Sequence, residues 1–133
     1  MSLIKKICLF IAIILVLFIG YIVVFFVSST DTENVHLEGF VYDLKTKEPI
    51  YNAKIFIENN RYESNNGTTN FDEYLGMDKF IMLTDENGFY KQEIEKSAFI
   101  FIKVSKEGYK VKTESEYSSK IMKFKTYLEK TNH

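Results

Sequence analysis

The order of apolar and polar residues divides the chain into two parts. Residues 7–27 form one uninterrupted apolar run that contains no charged residue and no proline. Beyond residue 34, apolar and polar residues alternate repeatedly with a period of two, which is typical of strands that bury one face. No segment after residue 30 shows sustained helical spacing. The pattern therefore predicts one apolar helix followed by an all-β domain.

The apolar run is long enough to cross a membrane. A helix that rises about 1.5 Å per residue would make it about 31 Å long, close to the thickness of the hydrocarbon core of a bilayer. Lys5 and Lys6 precede the run, and Asp31 and Glu33 follow it. Because lysines favour the cytoplasmic side, we expect residues 1–6 in the cytoplasm. The C-terminal domain is then extracytoplasmic, in the periplasm or outside the cell, and the bilayer itself is the first expected partner.

Two other interpretations of the run are a cleaved signal peptide, cut near Ser29, and a lipoprotein signal. The apolar part of a signal peptide usually has 7–15 residues, so the longer run favours a signal anchor that stays in the membrane. Cys8 is the only cysteine, and it lies before the apolar core of the run rather than after it, which argues against lipidation. The exported part therefore has no disulfide and must be stabilised by apolar burial.

The alternating segments predict the strands and which of their side chains point into the core. Besides the longer alternating segments, the segments KFIML, FYKQEIE and YKVKT are shorter strand candidates. Six or seven short strands separated by turn residues predict an antiparallel β-sandwich over residues 35–130, after a spacer at residues 28–34. The predicted inward-facing residues are Val35, Leu37, Gly39 and Val41, then Ala53, Ile55 and Ile57, then Ala98, Ile100, Ile102 and Val104, and finally Met122, Phe124 and Leu128.

The segment TDENGFY, residues 84–90, could be read as a calcium loop or as a turn. An EF-hand loop needs oxygen ligands at positions 1, 3 and 5, a glycine at 6 and a glutamate at 12. Counted from Asp85, those last three positions hold Phe89, Tyr90 and Lys96. Asn87-Gly88 instead suits a tight turn, because both residues tolerate positive φ. We predict a turn and no calcium site.

Four short motifs in order resemble the carboxypeptidase regulatory-like domain, which is a transthyretin-like, or prealbumin-like, sandwich. They are GFVYD at 39–43, EPIYNAKI at 48–55, TDENGFY at 84–90 and VSKEGY at 104–109. The resemblance covers nearly all of residues 35–128 and departs from the family at a long connection, residues 59–78. It implies a seven-stranded antiparallel sandwich and a non-catalytic module that packs against, presents or spaces other domains at bacterial surfaces.

Charge and residue types exclude several kinds of chemistry. The exported part carries all 18 acidic residues and all but two of the 17 basic ones, and Arg61 is the only arginine, so nucleic-acid binding has no support. His36 and Glu38 share one strand face, but a metal centre needs more ligands. His36 is also the only non-terminal histidine that could serve as a base for a nucleophile. We therefore predict no catalytic residue, no metal, no cofactor and no enzymatic activity.

The connection at residues 59–78 is the candidate binding segment, because loops of this length are uncommon in compact domains and are usually functional or disordered. Arg61, Tyr62, Phe71 and Tyr74 lie in it among several asparagines. Aromatic faces beside amide groups suit recognition of a protein or a glycan. The alternative is a flexible loop whose aromatic residues pack on the domain's own core.

Phe99 and Phe101 form a second candidate surface. They lie on the side of their strand opposite Ile100 and Ile102, so both faces of this strand are apolar. Such a strand is either central, with both faces packed, or presents its outer face to a partner. We favour packing in the core.

These observations lead to one functional hypothesis and one rival. The first is a non-catalytic binding or scaffolding module that a single membrane helix displays on the extracytoplasmic side, with an envelope protein or glycan as its partner. The rival is a membrane-anchored inhibitor or immunity-type protein that neutralises an incoming effector. The sequence does not predict the oligomeric state.

Overall fold

The computed structural model describes residues 1–28, 30–70 and 72–132, and the chain divides into two units, residues 1–30 and the part from Asp31 onward. The first unit is the helix α1 (Leu3–Ser28). Among the described residues it is the one helix long and apolar enough to cross a membrane. Its apolar side chains are exposed along its whole length, as is expected of a helix whose solvent is lipid. The predicted span 7–27 lies within it.

The second unit contains two β-sheets. A three-stranded sheet has the order β4-β1-β7, and a four-stranded sheet has the order β3-β2-β5-β6. The bounds of the strands are β1 (Thr32–Asp43), β2 (Lys54–Arg61), β3 (Gly76–Leu83), β4 (Phe89–Ser97), β5 (Phe99–Ser105), β6 (Lys112–Tyr117) and β7 (Ile121–Leu128).

The prediction of a wholly antiparallel sandwich is wrong for one pair of strands. β1 and β7 run parallel, with His36 opposite Ile121 and Asp43 opposite Leu128, whereas every other pair is antiparallel. β6 belongs to the four-stranded sheet and β7 to the three-stranded one, so the chain crosses between the sheets just before β7. The direction of β7 relative to β1 follows from this crossing. Period-two alternation is the same in parallel and antiparallel strands and carries no information on this point.

The predicted inward-facing residues do form the core. Gly39 has no side chain to contribute to this core. Tyr90 lies directly opposite it on the neighbouring strand β4. Tyr90 is buried, and its ring occupies the space that a Gly39 side chain would need. The buried apolar residues include Val35, Leu37, Val41, Ala53, Ile55, Ile57, Ile100, Ile102, Val104, Met122, Phe124 and Leu128.

The TDENGFY segment is a turn, and it is tighter and more specific than the sequence indicates. Gly88 has a φ of 72°, and its carbonyl accepts a 2.8 Å hydrogen bond from the Val41 N–H. The Asp85 carboxylate accepts hydrogen bonds of 2.9 Å from the N–H groups of Asn87 and Phe89. The turn carries the chain from β3 in one sheet to β4 in the other, so it is a crossing between sheets and not a hairpin.

The ends of the long connection differ from the predicted bounds. β1 already begins at Thr32, inside the predicted spacer, and the last residues of β2 pair with the first residues of β3, Arg61 opposite Gly76. The connection is therefore residues 62–75.

Asn59 lies inside β2, although asparagine is unusual in strands. Its side chain is buried and donates to Asp78 and to the Lys96 carbonyl, at 3.0 and 2.8 Å.

The close approach at Gly39 gives a test of the fold. An ideal Cβ at Gly39 would lie 2.4–2.6 Å from ring atoms of Tyr90. We expect Gly39→Ala to lower the free energy of unfolding by about 1–3 kcal/mol, the usual cost of overpacking. Chemical denaturation of the wild type, Gly39→Ala, Tyr90→Leu and the double variant measures the coupling energy between the two positions. The cost should fall in the Tyr90→Leu background; an equal cost in both backgrounds would contradict the contact.

A candidate binding surface on the four-stranded sheet

The guanidinium group of Arg61 joins three parts of the chain at the start of the long connection. Its Nε and Nη2 donate to the two carboxylate oxygens of Asp78 on β3, at 2.8 and 3.3 Å. Nη1 donates to the Glu63 carbonyl at 2.8 Å, and Nη2 also donates to Asn65 Oδ1 at 2.6 Å. Only 11% of the side chain is exposed. Arg61, predicted as a binding residue, thus fixes the connection to the sheet.

Asp31 holds the same segment from the other side. Its two carboxylate oxygens accept hydrogen bonds from the backbone N–H groups of Tyr62 and Glu63, at 2.8 and 3.1 Å. The Glu63 carboxylate in turn accepts a 2.6 Å hydrogen bond from Lys96 at the end of β4. The first residues of the connection are therefore bonded to both sheets, which orders a segment that has no strand partner of its own.

Four aromatic rings line up on the outer face of the four-stranded sheet, next to this held segment. Tyr62 and Tyr74 have ring centroids 5.1 Å apart, Tyr74 and Phe99 6.3 Å, and Phe99 and Tyr117 5.4 Å. We call these four residues the tyrosine row. Tyr74 is 42% exposed and Tyr117 is 74% exposed, so the row is covered incompletely by the chain itself. Partial burial and the neighbouring Tyr62 raise the pKa of Tyr74 above its ordinary value.

β3 presents further apolar side chains on the same face of the sheet. Met77, Ile81 and Leu83 are exposed on this outer face, with Lys79 between the first two. Phe56 on β2 lies opposite Ile81 and is half-buried. Exposed apolar side chains that lie together, as Phe56 and Ile81 do, are typical of sites of interaction.

The structure brings only part of the predicted binding set together. Tyr62 and Tyr74 meet on the sheet, Arg61 lies beside them as a structural residue, and Phe71 lies outside the described residues. Phe99 was expected in the core, but it is half-buried on the outer face, because the core side of β5 is filled by isoleucine and valine.

Sequence reasoning missed Asp31 and Tyr117. Asp31 was read only as a charge flanking the apolar run, although an aspartate that precedes a strand can accept backbone hydrogen bonds. Tyr117 belongs to the row because β5 pairs with β6 and Phe99 lies opposite it. That pairing is non-local, so the spacing of aromatic residues alone did not indicate it.

A cleft of about 410 Å³ opens beside the connection, between β3 and β4, the edge strands of the two sheets. Phe80 and Ile94 supply its apolar lining. Its charged lining consists of two cations, Arg61 and Lys96, and four carboxylates, Glu63, Asp78, Glu93 and Glu95. Asp78 pairs with Arg61, Glu63 with Lys96 and Glu93 with His36, so among the described residues Glu95 is the lining carboxylate without an ion pair.

His36 lies on the outer face of the three-stranded sheet between two carboxylates. Its Nδ1 is hydrogen-bonded to Glu93, and its Nε2 lies 3.2 Å from Glu38 Oε2. Hydrogen bonds to Glu93 and then to Glu38 raise the pKa of His36 above its ordinary 6.5. Lys123 lies 3.8 Å from the other oxygen of Glu38. In the parts of the chain that the structure describes, no group of three or more His, Cys, Asp or Glu side chains is arranged to hold a metal ion.

Comparison with known proteins supports the fold and leaves the family open. No protein-family model matches the chain, and a search of curated proteins finds no match. Among solved structures, a 3-chlorocatechol 1,2-dioxygenase from Rhodococcus opacus 1CP is 16% identical with a TM-score of 0.54, over 74% of this chain and 61% of that one. A catechol 1,2-dioxygenase from Acinetobacter sp. ADP1 is 15% identical with a TM-score of 0.57, over 75% and 53%.

A third similar structure is the C-terminal domain of the shaft pilin spaA from Lactobacillus rhamnosus GG. It is 10% identical with a TM-score of 0.51, and the match covers 75% of this chain and 100% of the pilin domain. Together these neighbours support a β-sandwich of the transthyretin-like kind. At such low identity they show the fold alone, and the chain spans little more than half of each of the two dioxygenases.

The prediction that this chain is not an enzyme is contradicted by these neighbours. It rested partly on a resemblance to non-catalytic modules, but the same sandwich occurs in proteins that are dioxygenases. A fold shared by enzymes and by a pilin domain gives no ground for excluding catalysis.

The bonds of Arg61 predict how the connection responds to a conservative change. Lysine cannot reproduce the planar fork that reaches Asp78, Glu63 and Asn65 together. We expect Arg61→Lys to lower the free energy of unfolding by about 1–3 kcal/mol and to make residues 62–75 sensitive to limited proteolysis. Asn66→Ala in the same connection is the control. If both variants resist the protease equally, Arg61 does not hold the segment.

The environment of His36 predicts a dependence of stability on pH. Because the folded pKa is raised, the contribution of His36 is complete below pH 6.5 and is lost as pH rises through the folded pKa. Thermal unfolding of the wild type should therefore shift to lower temperature as pH rises above neutrality, and this shift should shrink in His36→Gln. A shift that is the same in both proteins would rule out His36 as its source.

Proposed function

We propose that this protein is a membrane-anchored binding or scaffolding module. α1 spans a cell membrane with its N-terminus in the cytoplasm, and the sandwich stands on the extracytoplasmic side. The support is the length and apolar character of α1 and the pair of lysines before its apolar core. Confinement to a membrane surface raises the effective concentration of the sandwich toward neighbouring molecules, which is the advantage of such an anchor for a binding module.

The sandwich itself is proposed to be of the carboxypeptidase regulatory-like kind. The support is the order of its four motifs and what two of them do in the structure. Gly88 in the third motif bonds to Val41 in the first, and Tyr109 in the fourth donates a 2.8 Å hydrogen bond to Asp43 in the first. These contacts join the turns at one end of the sandwich, so the motifs act together as one structural unit.

The tyrosine row is the observation that carries the binding proposal. Tyrosines supply a large apolar contact area together with a hydroxyl, and tyrosine is enriched among the residues that dominate binding energy at interfaces. Here Asp31 and Arg61 hold the backbone beside Tyr62, and Phe99 and Tyr117 lie on paired strands. Little conformational entropy is therefore lost at these positions when a partner binds. The partner is an envelope protein or glycan that covers Tyr74, Phe99 and Tyr117.

The proposal is tested by capture in intact cells. A photo-reactive phenylalanine analogue replaces Tyr74 or Tyr117, and cross-linked products are compared with those from the same replacement at Tyr51, an exposed tyrosine outside the row. We expect one partner to be captured from the two row positions and not from Tyr51. The double variant Tyr74→Ser/Tyr117→Ser should lose the partner in co-purification while keeping its circular dichroism spectrum.

Other results would change the proposal in defined ways. Equal products at all three positions would contradict a specific surface on the row. A membrane-impermeant thiol reagent that fails to label Lys120→Cys in a Cys8→Ser background, in intact cells, would contradict the orientation in the membrane. Capture of a diffusible effector in a one-to-one complex, only when that effector is supplied, would replace scaffolding by the inhibitor function.

A further inference from the structure

β3 is an edge strand whose outer backbone groups are free. In the described part of the chain it pairs with β2 alone. The Thr84 N–H donates to the Ala53 carbonyl at 3.0 Å, which makes this a hydrogen-bonded pair. Because such pairs alternate in antiparallel sheets, the even-numbered residues of β3 bond to β2. The N–H and C=O groups of Met77, Lys79, Ile81 and Leu83 therefore face the open edge.

This edge has only part of the usual protection against strand pairing. Natural edge strands are commonly blunted by proline, by bulges, by lysines or by charged side chains that point inward. β3 carries one outward lysine, Lys79, and one inward carboxylate, Asp78, which is paired with Arg61. It contains no proline and continues in register with β2 over its full length. Ile81 is 64% exposed and Leu83 is 59% exposed. An extended segment placed along β3 would find both backbone partners and apolar neighbours.

The cleft lies where alternate side chains of such a segment would point. Asp78 and Phe80 are the inward-facing residues at the middle of β3, and both line the cleft that separates β3 from β4. Side chains of an added strand that lie opposite these two residues would enter the same space. Within the residues described, Glu95 lines this cleft and makes no ion pair. This unpaired carboxylate favours a basic side chain at this end of the cleft.

We propose that the open edge of β3 binds an extended segment of a partner protein by strand addition, with apolar side chains on the outer face and lysine or arginine in the cleft. This mode of recognition takes its affinity from main-chain hydrogen bonds and its specificity from the pockets that receive alternate side chains. The inference deepens the proposed binding function, on which it rests, because β3 and the tyrosine row present side chains on the same face of the four-stranded sheet.

The test uses the full chain in phosphatidylcholine nanodiscs and two blocked synthetic peptides, one alternating valine with lysine and one alternating valine with glutamate. Amide hydrogen exchange is followed by nuclear magnetic resonance. We expect the lysine peptide to slow exchange at Met77, Lys79, Ile81 and Leu83, and the glutamate peptide to leave these amides unchanged. Ile81→Pro removes one outward N–H at an edge position and should abolish the effect, whereas Ile81→Val should retain it.

The charge of the cleft is tested separately, so that the result does not depend on the proline variant. Glu95→Gln should weaken binding of the lysine peptide about two- to fivefold, the range expected for a partly exposed ion pair. Glu86→Gln, at the exposed turn before β4, should leave it unchanged.

Several outcomes would overturn strand addition at β3. These are equal binding of both peptides, no binding of either, or protection only at another strand. Protection of the same four amides without peptide, rising with protein concentration, would show that a second copy occupies the edge instead. If no peptide binds at β3 but cross-linking at Tyr74 and Tyr117 still captures a partner, strand addition is wrong and the proposed binding function stands. If the peptide binds at β3 but cross-linking at the tyrosine row captures no partner, only the proposed function of the tyrosine row is wrong.

Discussion

The connection between β2 and β3 lies outside the strands, and its backbone pairs with itself in the manner of strands only at the isolated bridge between Glu63 and Thr69, among the described residues. The remaining polar groups of this backbone need other partners, and those partners decide where Tyr62 lies on the outer face of the four-stranded sheet. Buried or half-buried N–H groups need partners. Asp31 supplies them for Tyr62 and Glu63, and Arg61 supplies a donor for the Glu63 carbonyl. Two ionised side chains thus convert a polar, glycine-containing segment into a fixed support for aromatic rings.

The charged side chains around the connection have mainly a structural role. Arg61 is paired with Asp78 and Lys96 with Glu63, so the two cations beside the connection are already committed. What is left for recognition is the apolar and aromatic surface of Tyr74, Phe99 and Tyr117, together with the carboxylate of Glu95 at the cleft. The only arginine in the chain, which seemed suited to a ligand, instead gives the segment its shape.

The sequence predicted the inward faces of the strands well, because a period of two determines which residues share a face whatever the neighbouring strand is. It did not predict the parallel pairing of β1 with β7, since pairing depends on how the chain crosses between sheets. It also misplaced Phe99, because apolar residues on both faces of a strand fit a packed core and an exposed patch equally. Asp31 was missed because its role appears only once the connection folds back onto the start of β1.

The likeness to dioxygenases and to a pilin domain places function in the side chains rather than in the fold. Asp31 and Arg61 make the start of the connection between β2 and β3 a fixed part of the surface. Amide hydrogen exchange of the wild-type full chain measures this. We expect slow exchange at the Tyr62 and Glu63 N–H groups, comparable with the N–H groups inside β2. Exchange at the rate of an unstructured peptide at these two positions would contradict it.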